Sequence, residues 1–424
     1  MRHGFLAVVL TLCGLWPGSQ APAATRTLVV EAGKQARACL PMSIDLPVEA
    51  TKAKLADQAT GKEVPCQVAA GKLWWVLDEL AADATKTYTV ELGTDSSGDA
   101  SAVSLKQSDT EIDIAIEGKP FTTYHFGEKL DWGKELLRPC FFPVLGPDQT
   151  PMTRSFPLVK DLPKGGTADH PHHTSLWVAH GLVNGVDNWS ISAGKKDKEG
   201  KVTGAAGRQL HRGFDAVVSG PVFGEFRERL DWVSADGKPV VAETRTARVY
   251  RLMGPVRMLD LVVTFIARYG RVVFGDTKEG GILATRMRDE FRDDQAEKQK
   301  LGKEGILVNA QGLRGPKTWG KRSEWVDMSG LVGERRYGYA IFDTPGNPRY
   351  PTYWHARTYG LVTANPFGIH EFDKASGEKG DLALDEGKEL TFRYRVYFHV
   401  GDAAEARIAD RCADYAEPPK AEWR

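Results

Sequence analysis

Four of the chain's ten histidines, His170, His172, His173 and His180, fall within eleven residues. The run from Asp169 to Trp189 that holds them adds Trp177 and Trp189, Asn184 and Asn188, and Asp169 and Asp187. Its residue types can move a proton, bind a metal or stack on a sugar ring. An imidazole titrates near physiological pH, so His172 or His180 can act as a general acid toward a sugar hydroxyl or ring oxygen. Trp177 and Trp189 would offer apolar faces to a pyranose, with Asn184 and Asp187 as hydrogen-bonding partners. This acid/base reading needs no cofactor. An alternative takes a single divalent transition metal. Residues two apart in an extended chain point the same way, so His170 and His172 would present two imidazoles to one ion. Asp169, Asp187, His180 or His355 would complete the ligand set. If the strand runs on from His172, Leu176, Val178 and His180 share its side, and His173 and Trp177 face the other. A third possibility has the histidines satisfying backbone groups in a loop.

Two further constellations belong with the cluster. In Gly275-Asp276-Thr277-Lys278-Glu279-Gly280-Gly281 the glycines permit close approach, and Lys278 and Glu279 form an acid/base pair, with Glu279 as base or partner. The segment lacks the Gly-Lys-Ser/Thr ending of a phosphate-cradling loop. In Tyr353-Trp354-His355-Ala356-Arg357-Thr358-Tyr359-Gly360, alternation puts His355, a further catalytic candidate, and Arg357 on one strand face. Arg154, Arg286, Arg357 and Asn365 are expected to orient hydroxyls or a carboxylate.

The elements that must position these groups are β-strands. Alternating or β-rich runs recur at Arg26–Glu31, Lys72–Leu77, Thr85–Leu92, Glu111–Glu117, Pro120–Phe126, Phe223–Val233, Val240–Leu252, Val256–Ala267 and Glu389–His399. Gly118-Lys119 reads as a hairpin turn between two of them. Only Asp289–Lys300 and Ala403–Tyr415 look helical. The expected fold is therefore all-β: a small β-sandwich over residues 24–93, a polar linker over 94–102, and a large antiparallel β-sandwich over 103–424 that carries the site. Glu225, Arg227, Glu243, Arg245 and Asp260 on the middle strands suggest a solvated concave face. The first sandwich is expected to pack against the second or help to shape its cleft.

Lys+Arg and Asp+Glu are both 56. That balance argues against a nucleic-acid partner. The expected partner, from the residue types of the histidine cluster, is a small carbohydrate. Residues 1–23 have the charged start, short apolar run and Ala21-Pro22-Ala23 ending of a secretory signal, which implies a periplasmic or secreted protein. No apolar run is long enough for an integral membrane segment. Cys39, Cys66, Cys140 and Cys412 then permit two disulfides, Cys39–Cys66 and Cys140–Cys412, or buried thiols.

The motifs 169–173, 176–181, 183–187, 275–281, 354–357 and 365–368 resemble, in order, the PmoA-like family of exported bacterial proteins, over roughly residues 105 to 400. A looser resemblance links Leu384–Leu390 and the His-rich strand to the galactose-mutarotase-like sandwich. The resemblance implies a sugar-binding sheet face, and the leading expectation is an exported carbohydrate-active enzyme of epimerase, lyase or hydrolase type. The alternatives are a metal-dependent oxidoreductase or oxygenase and a non-catalytic glycan-binding module.

Overall fold

The computed structural model describes residues 24–93, 101–196, 198, 202–294 and 304–424. The expected signal segment, most of the linker and residues 295–300 of the first expected helix lie outside these.

Two large sheets stack on one core. The first has nine strands, in the order Lys321–Arg322, Tyr353–Arg357, Leu361–Asn365, Gly280–Arg286, Leu176–His180, Cys140–Val144, Lys119–His125, Glu111–Ile116 and Val103–Gln107. The second has eight, from Arg208–Val218 through Phe223–Val233, Pro239–Tyr250, Arg257–Ile266, Glu389–Val400, Arg335–Phe342 and Trp325–Val332 to Ile306–Asn309. Neighbouring strands within both run antiparallel. The chain is all-β, as the alternation predicts. Period-2 patterning explains why: Ile112, Ile114 and Ile116 meet Phe226, Trp232, Leu259, Leu261, Val263 and Phe265 from the opposing sheet in one buried cluster.

Local chemistry sets the hairpin that starts the large sandwich. Lys119 pairs with Ile116, so Glu117-Gly118 is the two-residue turn, one position earlier than expected. Both residues have positive φ, 51° and 75°, as a type I′ turn requires. Of the expected Asp289–Lys300 helix, the described residues 289–294 form one 3₁₀ turn, Asp289–Phe291. The C-terminal helix forms later than expected, at Ile408–Ala416.

The charged strand positions do not form a solvated face. Glu243 and Arg245 point between the sheets and are almost wholly buried, with Glu228 and Tyr124. Burial is tolerated because each group is paired. Arg245 reaches Glu243 at 2.6 Å, the Tyr124 hydroxyl at 3.0 Å and Gln209 Oε1 at 2.9 Å; Trp232 Nε1 donates to Glu243 at 2.6 Å. Tyr124 in turn donates to Glu228. Glu225 and Asp260 lie on the opposite face of their sheet, engaged by Arg248 and Arg395. Arg227 alone of the five is exposed.

Residues 24–93 form a three-stranded sheet and four strands of a five-stranded one around their own core, centred on Trp75. The chain's end returns to this module: Lys420–Trp423 pairs with Ala24–Glu31. The module packs on the outer face of the eight-stranded sheet. Trp74 meets Phe223 at 5.2 Å and lies under the Arg248 guanidinium, and Gln67 Oε1 accepts from the Phe223 N–H at 3.1 Å. None of its residues lines the cleft described below, which opens on the outer face of the other sheet. The four described cysteines form no disulfide. Cys140 lies buried in the nine-stranded sheet and Cys412 in the C-terminal helix, while Cys39 and Cys66 donate to the carbonyls of Met253 and Ala53.

Candidate active site

On the strand Leu176–His180, Leu176 and Val178 enter the intersheet core, while Trp177 and Ala179 join a second apolar cluster on the outer face with Cys140, Trp189, Ala284 and Leu361. This outer cluster is the floor over which the loops 155–175 and 181–192 and the turn 275–279 gather. A cleft of about 630 Å³ opens there, lined by His170, His172, His173, Asp187, Trp189, Thr277, Lys278, Glu279, His355, Arg357 and Tyr359. The three sequence constellations, more than a hundred residues apart at their extremes, converge on it.

The turn that carries Glu279 is held by its backbone carbonyls. Asn365 Nδ2 donates to the Thr277 carbonyl at 2.8 Å and His355 Nδ1 to that of Lys278 at 2.6 Å. The Gly181 N–H donates to the Glu279 carbonyl at 2.9 Å and Thr363 Oγ1 to that of Gly280 at 2.7 Å. Four successive carbonyls are thus fixed by residues of the adjoining strands. The double glycine is required here. Gly280 and Gly281 have φ of 135° and 152°, and a Cβ on Gly281 would lie 2.5 Å from the Ala364 carbonyl oxygen.

A carbonyl only accepts, so the His355 proton sits on Nδ1 and its Nε2 is left with the lone pair. Burial holds His355 down to about 4, although the Glu279 charge opposes that shift. His172 is lowered to about 4 by burial, then by Arg138 and His170. Both rings are therefore neutral at pH 7. Burial pushes the Glu279 carboxyl up, but the hydrogen bond and charge of Lys278, paired with it, lead the opposing effects and keep it ionised. His172 makes ring contacts with His173 at 4.4 Å and Trp189 at 5.9 Å, and its nitrogens hydrogen-bond to no described residue.

Behind these groups stands a clamp. Arg154 and Arg286, both buried, converge on Asp169, the latter at 2.7 Å. Burial alone would raise the Asp169 carboxyl, but the two guanidiniums bring it down to about 2. Arg286 Nη1 also approaches His173 Nδ1 at 3.4 Å, and its guanidinium lies 4.6 Å from the Tyr359 ring centre. Tyr359, His170 and His173 stack in near-parallel planes, with Trp177 beneath His173. Arg138, buried, donates to the carbonyls of Trp189 and Ser190 at 2.6 Å each and so fixes the far wall.

Of the expected site residues, His172, Glu279, His355, Lys278, Arg357, Asp187, Trp189 and His170 face the cleft. The others serve elsewhere. His180 points into the core, wholly buried against Phe367 at 4.7 Å, with Nε2 on the Gly275 carbonyl at 2.9 Å. The expected alternation fails between His172 and His180 because the chain turns at His170–His173 and Ser175 has φ of 68°. Trp177 is covered by His173 and offers no free face. Asn184 closes a turn to Arg271 and Val273 outside the cleft. Asn365 anchors the Glu279 turn, and Arg154 and Arg286 hold Asp169. Asp187 lines the cleft, but one of its oxygens accepts from the N–H groups of Trp189 and Ser190. His173, Tyr359 and Arg138 are site residues that sequence reasoning passes over, although alternation from Arg357 points to Tyr359.

The metal reading places His170 and His172 with ring centres 5.8 Å apart and planes at 66°. Among the described residues, no group of three His, Cys, Asp or Glu side chains is arranged to hold an ion. No described helix is long and apolar enough to cross a membrane.

Residues 111–413 match the family described as "Family of unknown function (DUF6807)". That description carries no PmoA-like name. No curated protein matches the sequence. Among solved structures, an alpha-mannosidase from Enterococcus faecalis is similar over 94% of this chain, at 8% identity and a TM-score of 0.39. The chain spans 46% of that mannosidase. A GalM/aldose epimerase homologue from C. elegans is similar over 71% of this chain and 99% of its own length, at 6% identity and a TM-score of 0.26.

Proposed function

The chain belongs to the DUF6807 family of unknown function, and from that premise we propose that it is an exported carbohydrate-active enzyme whose cleft removes a proton from a sugar carbon. One observation carries this reading: a neutral histidine with its proton fixed on Nδ1 presents Nε2 to a cleft shared with an ionised carboxylate and two cations. His355 is the base. Its Nε2 takes the proton from a carbon next to a carbonyl group. The electron pair left behind moves onto the carbonyl oxygen, where Arg357 and Lys278 stabilise the developing negative charge. Return of the proton to the other side gives an epimer, and expulsion of an oxygen substituent on the next carbon gives elimination. Glu279 stabilises the imidazolium formed in the transition state, and His172, across the cleft, is placed to hand on a proton. Trp189 and Tyr359 supply ring surface for a pyranose.

The sequence segments 169–173, 183–187, 275–281 and 354–357 each contribute a side chain to the cleft, which supports this placement. His172 and Glu279 keep acid/base roles from the sequence reading, while His180 has none.

The test is solvent exchange. The enzyme is incubated in deuterium oxide with a panel of keto-sugars, uronates and reducing aldoses, and carbon-bound deuterium is read by NMR. The wild type is expected to label one position, and His355→Asn to label it at least about 100-fold more slowly with the fold intact. No labelling of any panel member, or undiminished labelling by His355→Asn, would sink the proposal.

A further inference from the structure

Charge around the cleft is unbalanced. Among the side chains that line it or bond directly to its walls, the cations are Lys278, Arg357, Arg286, Arg138 and Arg154. The carboxylates are Glu279, Asp187 and Asp169. His172, His173 and His355 add nothing, because burial keeps them neutral. Two positive charges are left without a counterpart in a partly enclosed space, which favours an anionic ligand.

One of those charges is free to meet it. Lys278 is paired with Glu279, and Arg154 and Arg286 share Asp169. Arg138 is spent on two carbonyls. The Arg357 side chain forms no ion pair or hydrogen bond with any described residue. Its guanidinium is nonetheless not adrift: it lies 5.5 Å from the Tyr359 ring centre, on the ring that Arg286 also approaches. A guanidinium stacked on an aromatic ring keeps its N–H fork turned outward, the geometry that takes a carboxylate through two parallel hydrogen bonds.

Spacing then connects this anchor to the base. On Tyr353–Arg357, Trp354 and Ala356 enter the core, so His355 and Arg357 share the outer face, their Cα atoms about 7 Å apart along the strand. A carboxylate gripped by Arg357 brings the carbon that bears it toward His355 Nε2. That carbon is the one a carboxylate acidifies.

We propose that the substrate is a sugar acid, a hexuronate unit whose carboxylate is held by Arg357 so that its C5 hydrogen faces His355. The assignment rests on the proton-abstraction reading for its chemistry, but the recognition of the carboxylate stands on its own. In the step, the C5–H bond breaks toward His355 Nε2 and the electron pair enters the carboxylate, which becomes an enediolate. Reprotonation at C5 regenerates the carboxylate as the epimer. Loss of the C4–oxygen bond instead gives a C4–C5 double bond, with the oxygen leaving as an alcohol once protonated.

A matched pair of probes tests this: methyl glucuronide against methyl glucoside, which differ in a carboxylate for a hydroxymethyl group. Binding is measured by calorimetry or NMR on the wild type, Arg357→Gln, Arg357→Lys and His355→Asn, at low and high salt. The wild type is expected to prefer the glucuronide by at least about tenfold, the value of one charge-assisted contact. Added salt should narrow the gap. Arg357→Gln should abolish the preference and Arg357→Lys should keep part of it, since the charge remains without the fork. His355→Asn should keep it whole while losing deuterium exchange. Equal binding of the two probes, binding of neither, or a preference untouched by Arg357→Gln overturns the proposal. A preference that survives with no exchange in any protein leaves the sugar-acid site standing and removes the base. Exchange on neutral sugars without a preference does the reverse.

Discussion

Asp169→Asn tests the clamp that positions the histidine wall. The side chain neutralises Arg154 and Arg286, which are 3% and 0% exposed, while being 39% exposed itself. Its carboxyl falls from 3.8 to about 2, which for a fully buried group corresponds to ~2.4 kcal/mol at 1.36 kcal/mol per unit. Solvent screening at this exposure reduces that to roughly 1–2 kcal/mol. The asparagine leaves two buried guanidiniums without a counter-charge, and losing one partner of a buried pair costs about 3–5 kcal/mol. The two figures differ because the first counts only the carboxylate's own gain and the second includes the stranded partners. Since Asp169 can still be reached by water, a total near 3 kcal/mol is expected. The sign with pH follows from the lowered value. Asp169 stabilises the fold fully above its unfolded value near 3.8, and that contribution is lost as the pH falls through about 2. Urea unfolding of both proteins at neutral pH and at steps down to acid should show the wild-type advantage shrinking across this window. A neutral-pH difference below about 0.5 kcal/mol, or one that does not change with pH, would refute the clamp.

Two further substitutions probe the scaffold. Gly281→Ala adds a Cβ at 2.5 Å from the Ala364 carbonyl oxygen at a φ of 152°, and is expected to cost about 2–4 kcal/mol in urea unfolding. A cost under about 1 kcal/mol would mean that the Glu279 turn is not held as described. Arg245→Met leaves Glu243 without its ion-pair partner between the sheets and is expected to cost about 3–5 kcal/mol, with much of it recovered in Arg245→Met/Glu243→Gln. A double variant less stable than the single one would show that the network does not hold together through Arg245.

The architecture was legible wherever one face of a strand is apolar. Ile112, Ile114 and Ile116, or Leu259, Leu261, Val263 and Phe265, announce a half-buried strand without help from the rest of the chain. The charged positions misled for a physical reason. Glu243 and Arg245 look solvent-facing until Tyr124, Gln209 and Trp232, from other strands, supply partners that permit their burial. No local pattern encodes such a pairing.

The sequence by itself determined that the chain is all-β, that chemistry-bearing residues gather in three short segments, and that His355 and Arg357 share a strand face. Those properties depend on neighbours in the chain and on a period of two. Along the histidine cluster, only the tertiary structure decided which residues are buried. It turned His180 into the core and Trp177 beneath His173, because a turn at His170–His173 and the left-handed Ser175 reset the alternation before the strand begins. It also made Arg154, Arg286 and Asn365 supports where the sequence suggested ligand contacts, since a buried charge or amide must first satisfy the partners packed against it. What remained unsatisfied at the cleft, the Arg357 guanidinium, the His172 ring and the Nε2 of His355, was set by the fold as a whole.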